Sequence, residues 1–322
     1  MKRIWIKNGR VIDGTNTPAH TADVIVEGDR IVSVGEPGSP SDTVIDAAGK
    51  VVCPGFVDIH RHCDAKFLQN SDFGKVMLAQ GITTTVVGNC GMSLTPSPKD
   101  PAEMYDFMEA VLGSGCEKLG LHDYKDYVSV LQSRPLPVNA ASMVGTGSVK
   151  ITVKGFADTP YTAEELKKAA SLIEDALNAG AVGVSCGIMY LPECYSTTNE
   201  FAEILKPLGK AGRVLTAHIR GEGDSLVSSV KEIIEIGKKA GCPVEISHFK
   251  CCGMENWRKG IHEAIALIEE ARAAGQDVTC DFYPYEGGST ALTTMLPPCC
   301  VAGDMTAALA RLGTPEGVEK FR

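Results

Sequence analysis

Alternation between two kinds of segment constrains the fold of this 322-residue chain more than any other feature of its sequence. From Gly55 onward, short apolar runs typical of strands alternate with amphipathic stretches typical of helices, which is the pattern of a parallel sheet built from βα units. The pattern predicts an α/β fold, a (β/α)8 barrel of the TIM type. Seven strands are predicted, at 56–60, 83–87, 138–144, 181–185, 214–218, 244–248 and 277–282.

The two ends of the sequence differ from this repeating part. Short strands separated by turn residues predict part of a small β-sandwich domain at 1–55, followed by the barrel domain at 56–322. Beyond Tyr285 the sequence contains a Gly/Ser/Thr loop and a helical stretch at 304–312, but no eighth strand signal. An open parallel edge favours aggregation. We therefore interpret the chain as a fragment whose barrel is truncated before strand eight, with a sheet that stays open as the alternative.

Composition excludes several classes of function. The chain has 31 basic and 40 acidic side chains, and this net charge of -9 argues against nucleic-acid or anionic-membrane partners. No apolar run approaches the roughly 20 residues of a membrane span, and the first ten residues lack the apolar core of a signal peptide. We therefore expect a cytoplasmic protein, in which the 12 scattered cysteines are reduced and any cysteine at a strand end is a possible metal ligand.

Metal-binding residue types stand where five ligands could meet. His60 and His62 end predicted strand one, Cys90 follows strand two, and His218 and His248 end strands five and six. Taken singly, each is more often a chance pair, a packed thiol or a hydrogen-bonded structural histidine. Active sites of such barrels lie at the carboxyl ends of the strands, so the convergence of all five predicts a metal site. Cys90, His218 and His248 supply three ligands and leave a fourth position for water, as catalytic zinc requires.

These motifs match a known family. The block at 52–62, Val-Cys-Pro-Gly-Phe-Val-Asp-Ile-His-Arg-His, resembles the opening of amidohydrolase-superfamily barrels. Four further motifs resemble those of the N-acyl-D-amino-acid deacylases, or D-aminoacylases, and extend the match across nearly the whole chain. They are Gly-Asn-Cys-Gly at 88–91, His-Ile-Arg-Gly-Glu-Gly-Asp at 218–224, Ile-Ser-His-Phe-Lys at 246–250 and Tyr-Pro-Tyr-Glu-Gly-Gly-Ser-Thr at 283–290. The resemblance implies metal-dependent hydrolysis of an N-acyl-D-amino acid, a small molecule, to a carboxylate and a free D-amino acid.

The resemblance also implies how metal is held. Zinc would be bound tightly by Cys90, His218 and His248, and a second, weaker metal by His60 and His62. In the family, an aspartate after strand eight completes the weaker site and serves as general base, and this chain has no counterpart to it. The carboxylates that could substitute are Asp64, Glu222 and Asp281, and we expect none of them to end a strand in the right register. Arg220 and Glu222 are expected to form an ion pair.

Substrate contacts follow from the same resemblance. Tyr190 matches a tyrosine beside the scissile carbonyl, where it would stabilise the oxyanion. Lys250 matches a position near the substrate, and Tyr283 and Ser289 match positions that hold the substrate α-carboxylate. A solvated lysine at the rim and a tyrosine that merely packs its ring are the alternatives for these residues.

Three other functions remain open. A cyclic amidase of the dihydroorotase or hydantoinase type would carry a bridging lysine on strand four, where this chain reads Gly-Val-Ser-Cys-Gly at 183–187. A deaminase would have no need of Cys90. An inactive metal-binding fragment is the third, and turnover distinguishes it better than metal content. Cys186 on strand four is a further thiol candidate, with ordinary packing as its alternative.

Overall fold

The computed structural model of the chain describes residues 3–40, 43–70, 72–291, 294, 296 and 305–321. The chain separates into two compact units, Met1–Phe56 and Val57–Arg322. Both strands and helices are present, so the expected α/β class is confirmed. No helix in the described part of the chain has the length and apolar character needed to cross a membrane.

The first unit contains one five-stranded sheet. Its strands are β1 (Arg3–Val11), β2 (His20–Glu27), β3 (Arg30–Val34), β4 (Thr43–Asp46) and β5 (Val51–Val52). Their order is β3-β2-β1-β4, with β5 paired to β1. Strands β2 and β3 form a hairpin in which Glu27 pairs with Arg30, and Gly28 accepts the left-handed φ of 63° that this tight turn requires. A second layer of the predicted sandwich is not seen among the described residues.

All seven strands predicted for the barrel region are present. They are β6 (Phe56–Asp58), β7 (Ile82–Val87), β8 with β9 (Asn139–Ser142 and Val144–Gly145), β10 (Gly183–Gly187), β11 (Val214–His218), β12 (Val244–Ile246) and β13 (Val278–Cys280). Only Met143 separates β8 from β9, so the orders β6-β7-β8 and β9-β10-β11-β12-β13 follow one another along the chain. In the described ranges, β6 and β13 each have one neighbouring strand, and closure by an eighth strand stays a prediction.

Helices connect the strands, as the alternating pattern predicts. The predicted helix at 163–179 is observed at Ala163–Asn178, where Thr162 accepts from the Glu165 N–H and Glu165 reciprocates in a capping box. Two 3-10 turns lie at Cys116–Leu119 and Glu193–Tyr195. The helices are α1 (Lys66–Gln69), α2 (Lys75–Ala79), α3 (Ala102–Leu112), α4 (Tyr124–Gln132), α5 (Thr146–Lys154), α6 (Ala163–Asn178), α7 (Thr198–Ile204), α8 (Lys206–Ala211), α9 (Leu226–Ala240), α10 (Gly260–Ala273), α11 (Met305–Leu312) and α12 (Pro315–Phe321).

Alternation along the central strands separates an apolar side from a polar side. One apolar core contains Val184, Cys186, Leu215, Ala217, Val244 and Ile246 of the strands, with Ile173 of α6 and Ile233 of α9. The positions between them, Ser185, Thr216 and Glu245, are polar and also buried. Cys186 therefore packs among apolar side chains, and burial raises the pKa of its thiol well above the ordinary value. The polar residues Ser185, Thr216 and Glu245 therefore lie on the face of these strands that does not belong to the apolar core.

Candidate metal centre

Three of the predicted ligands meet beyond the carboxyl ends of their strands. Cys90 Sγ lies 3.3 Å from His60 Nε2 and 3.6 Å from His248 Nε2. One donor atom from each of these residues fits within a cluster whose members are all within 4.8 Å of one another. A thiol flanked by two imidazole nitrogens is a donor set that suits zinc.

A second cluster shares His248 with the first. His218, Glu222 and His248 each place a donor atom within 4.8 Å of the other two. The His218 and His248 rings lie 4.4 Å apart, and Glu222 Oε1 is 2.9 Å from His248 Nδ1 and 4.0 Å from His218 Nε2. The predicted trio of Cys90, His218 and His248 is thus divided between two clusters that meet at His248.

His62 lies outside both clusters. Its ring centroid is 5.4 Å from that of His60. Strand β6 ends at Asp58, so the alternation of side chains along a strand does not place His60 and His62 on one face. Burial, followed by the neighbouring histidines, lowers the pKa of His62 to about 3, and its buried Nδ1 has no hydrogen-bond partner in the described structure. A neutral imidazole with an unused nitrogen can still donate to a metal ion.

A carboxylate selects the tautomer of His60, one of the two imidazoles that face Cys90. Asp281 Oδ2 lies 3.0 Å from His60 Nδ1, and Asp281 Oδ1 accepts the His248 backbone N–H. Burial raises the pKa of Asp281, but the hydrogen bond from His60 and the nearby charges outweigh it, so the pKa is below its ordinary value. A carboxylate only accepts, so His60 Nδ1 carries the proton and the Nε2 lone pair faces the thiol. Nδ1 of His248 lies 2.9 Å from Glu222 Oε1 and 3.0 Å from Lys250 Nζ, so a carboxylate and an ammonium both face this nitrogen.

This role of Asp281 contradicts the expectation that no substitute carboxylate ends a strand in a suitable position. Asp281 directly follows β13, and its contacts with His60 and His248 place it at the centre. The available signal was its position near the end of predicted strand seven, comparable to that of His218 at the end of predicted strand five. Asp64 is instead enclosed, with neither carboxylate oxygen partnered in the described residues, and burial raises its pKa to about 7.

The predicted ion pair between Arg220 and Glu222 is wrong. Arg220 Nε lies 2.8 Å from Glu232, on helix α9, and its other nitrogens donate to backbone carbonyls. Glu222 Oε1 instead accepts from Lys250 Nζ at 2.6 Å. Burial acts to raise the pKa of Glu222, but hydrogen bonding from His248 and nearby positive charge lower it to about 2. The strand-six lysine is therefore paired with a carboxylate at the centre.

Cys90 has an enclosed environment that a metal would change. Burial, reinforced by Asp281 and Glu222, raises the pKa of its thiol well above the ordinary value. A cation is needed to stabilise the thiolate there, and the surrounding donors supply neutral nitrogens and carboxylates for one. The donor set therefore fits zinc.

The predicted substrate residues differ in how closely they approach the centre. Tyr190 is buried, and its hydroxyl lies 3.2 Å from His218 Nδ1 and 3.0 Å from Thr290 Oγ1. Burial raises the pKa of this phenol, so it stays protonated. Lys250 Nζ lies 5.6 Å from the ring centroid of half-buried Tyr283, whereas Ser289 is exposed.

Known proteins resemble the chain throughout this region. The amidohydrolase family model matches residues 43–187. A D-aminoacylase of Alcaligenes xylosoxydans xylosoxydans is 38% identical over 291 residues, which are 90% of this chain and 58% of that protein. A structure of D-aminoacylase described by its binuclear metal centre is 36% identical with a TM-score of 0.82, and the match covers 98% of this chain and 68% of that one.

An N-acyl-D-glutamate deacylase from Bordetella bronchiseptica, solved with zinc and a phosphonate inhibitor that mimics the tetrahedral intermediate, is also similar. It is 32% identical with a TM-score of 0.84, and the match covers 99% of this chain and 69% of that one. The chain spans 58% of the length of the curated D-aminoacylase, or somewhat more than half. By its identity to these proteins across nearly all of its length, the chain belongs to the D-aminoacylase family of the amidohydrolases.

Proposed function

We propose that this chain carries the metal-binding part of an enzyme that hydrolyses the amide bond of an N-acyl-D-amino acid, releasing a carboxylate and a D-amino acid. The observation that carries the proposal is the meeting of Cys90 Sγ with His60 Nε2 and His248 Nε2, in a chain similar to enzymes named for this reaction.

Zinc is the proposed metal. Cys90 and His248 would hold the tight ion with His218 as the third ligand, and His60 with His62 would bind a second ion more weakly. Asp281 keeps Nε2 of His60 available, and Glu222 lies beside Nδ1 of His248. A bound zinc ion supplies a Lewis acid that polarises the acyl carbonyl and acidifies water.

Metal content in variants tests this division of ligands. In the structure His60 Nε2 lies 3.3 Å from Cys90 Sγ, whereas the proposal assigns His218, and not His60, to the ion that Cys90 binds. His60→Ala and His218→Ala are therefore the informative pair. After dialysis against a weak chelator, we expect His218→Ala and Cys90→Ala to lose zinc and His60→Ala to retain it. If His218→Ala retained zinc and His60→Ala lost it, His60 would be the ligand of the tight ion and His218 the ligand of the weaker one.

Tyr190 would stabilise the oxyanion. When Nδ1 of His218 carries the proton, it donates to the Tyr190 oxygen and leaves the phenol hydrogen free. Thr290 Oγ1 lies 3.0 Å from the same Tyr190 hydroxyl. The raised pKa keeps the hydrogen on the phenol at neutral pH, so Tyr190 serves as a donor to developing negative charge.

Lys250, Tyr283 and Ser289 would hold the substrate α-carboxylate. The Lys250 ammonium already pairs with the Glu222 carboxylate, so an incoming substrate carboxylate would share this ammonium with Glu222. Lys250 and Tyr283 are neighbours, and Ser289 belongs to the exposed segment that follows Tyr283. Their chemistry favours substrates with a free carboxylate, because an ammonium attracts this group and hydroxyl groups can donate to it.

Turnover of matched substrates tests the activity. A zinc-loaded protein extended through the predicted eighth strand should hydrolyse N-acetyl-D-amino acids in preference to their L-enantiomers and to the D-amino-acid methyl esters. Equal rates on both enantiomers would overturn the assignment. Dihydroorotate, hydantoins and adenine are the control substrates for the cyclic-amidase and deaminase alternatives. Metal binding without turnover of any substrate would favour the inactive metal-binding fragment.

A further inference from the structure

The turn at 88–91, here called the cysteine turn, has an unusual backbone. Gly88, Cys90 and Gly91 have φ values of 76°, 55° and 74°. Glycine adopts such left-handed angles readily, but a residue with a Cβ does so only where its surroundings hold it. Something outside the turn must therefore keep Cys90 in this conformation, with Sγ directed at the two imidazoles.

One buried hydroxyl bridges the two ends of the cysteine turn. Ser185 Oγ lies 2.5 Å from the Gly88 carbonyl oxygen and 3.0 Å from the Gly91 nitrogen. The Gly91 N–H can only donate and the Gly88 carbonyl can only accept, so Ser185 Oγ–H donates to Gly88 while its lone pair accepts from Gly91. A single side chain thus uses both of its hydrogen-bonding capacities on the turn.

Two other carbonyl groups of the turn already have partners. The Gly91 carbonyl accepts the Ser148 N–H at 3.1 Å, and the Asn89 carbonyl accepts the Met92 N–H at 3.0 Å. Ser185 is fully buried in the middle of β10. Removing its hydroxyl would leave one donor and one acceptor of the turn without their partner in a dry environment, which favours a change in the turn itself.

We propose that Ser185 is the positioning residue for Cys90: its hydroxyl holds the cysteine turn in the geometry that aims the thiol at His60 and His248. The inference deepens the proposed function, on which it rests for the role of Cys90 as a metal ligand. Strand β10 then contributes to the metal centre through the backbone of the turn that follows β7, and not through a ligand of its own.

The test compares Ser185→Ala with Ser142→Ala. Ser142 is a matched control because it is a buried serine on a strand of the same region, with Oγ donating to the Met143 carbonyl and not to the cysteine turn. Two properties are measured in the full chain. The first is Co²⁺ binding, followed by the Co²⁺-thiolate charge-transfer absorption, which also gives the Co²⁺ dissociation constant. The second is the rate at which iodoacetamide alkylates Cys90 in the metal-free protein. Peptide mapping separates Cys90 from the other 11 of the 12 cysteines.

We expect Ser185→Ala to weaken Co²⁺ binding by about 10- to 100-fold, the usual cost of losing a residue that orients a ligand. Its thiolate band should weaken and Cys90 should be alkylated faster, while Ser142→Ala matches the wild type. Ser185→Thr keeps the hydroxyl, so its Co²⁺ affinity, thiolate band and alkylation rate should be close to those of the wild type.

Wild-type values for Ser185→Ala, or equal losses in Ser185→Ala and Ser142→Ala, would overturn the proposal. Values for Ser185→Thr as low as those for Ser185→Ala would also count against the hydroxyl. Neither measurement uses an N-acyl-D-amino acid. A protein that binds Co²⁺ through Cys90 but hydrolyses no such substrate therefore overturns the proposed function and leaves the role of Ser185 standing.

Discussion

The cysteine turn and the 283–290 segment both contact the centre and are held very differently. The turn is enclosed by neighbouring elements: Ser185 bridges its ends, Ser148 binds the Gly91 carbonyl, and the Glu193 carboxylate occupies the space beside Gly91. Most residues of the 283–290 segment are exposed, and Tyr285 is 77% exposed. Its contacts with the centre are the Thr290 hydrogen bond to Tyr190 and the approach of Lys250 to Tyr283.

Under the proposed function, this difference separates metal binding from substrate recognition. Folding itself organises the cysteine turn, because burial leaves its polar groups no alternative partner. The 283–290 segment depends on a few contacts at the surface, where water competes. We therefore expect changes in the turn to affect metal and stability, and changes in the exposed segment to affect catalysis alone.

The largest expected effect distinguishes Cys90→Ala from Ser289→Ala. Cys90→Ala removes the thiol from the centre, so tight zinc should be lost and activity should fall by more than the roughly 10²–10³-fold typical of losing one oxyanion donor. Ser289→Ala should retain zinc, because Ser289 lies in the exposed segment. Metal analysis after dialysis, together with kcat/KM, measures both. Loss of zinc from Ser289→Ala would show that the two regions are not independent.

Tyr190→Phe tests a residue of the centre that the 283–290 segment contacts through Thr290. We expect kcat to fall by about 10²–10³-fold, because the variant lacks the proton proposed to stabilise the oxyanion. Zinc content should stay at the wild-type level. Thr290→Val, which removes only the other partner of the Tyr190 hydroxyl, should have a smaller effect. An unchanged kcat in Tyr190→Phe would leave Tyr190 with a packing role.

Two glycine substitutions compare the regions by stability. A Cβ on Gly91 would overlap the Glu193 carboxylate and would also require a φ of 74°, so Gly91→Ala should destabilise the protein by roughly 2–4 kcal/mol. A Cβ on Gly287 meets nothing within 4 Å, so Gly287→Ala should lie within about 0.5 kcal/mol of the wild type. Urea unfolding at fixed zinc concentration measures both. Similar losses in the two variants would contradict the comparison.

The smallest expected effect concerns pH and Glu193. Burial raises the pKa of this carboxyl to about 7 from an ordinary 4.5, although Thr146 and the Gly187 N–H donate to it. The folded state therefore binds the proton more tightly than the unfolded state, and its stabilising contribution is present below about pH 4.5 and is lost as pH rises through about 7. Between pH 5 and 7 the loss should be about 2 kcal/mol.

Glu193→Gln should remove this part of the pH dependence. The exposed Glu203, changed to Gln, is the matched control and should keep the wild-type slope. Unfolding free energies of the three proteins at pH 5, 6 and 7 provide the measurement. A Glu193→Gln slope equal to that of the wild type would show that the carboxyl is charged throughout this range.

Much of the fold could be predicted because local pattern and tertiary burial agree in the central strands. Strand β11 matches its predicted bounds, and β7, β10, β12 and β13 differ from theirs by one to two residues at an end. The differences matter most at the ligands. Predicted strand one ends two residues early, at Asp58, and predicted strand six ends at Ile246. His60 and His248 therefore lie beyond the regular backbone, where alternation no longer applies.

The sequence by itself determined the residue types of the centre and the strands that carry them, because spacing between apolar runs records which side chains follow each strand. Tertiary structure decided which donors meet. It placed His60 beside Cys90, assigned Asp281 and Glu222 to the histidines, and paired Arg220 with Glu232. Left-handed angles at Cys90 and His248 redirect both side chains. Such angles depend on contacts between residues far apart in the chain, as between Ser185 and Gly88, and a pattern of neighbouring residues carries no record of them.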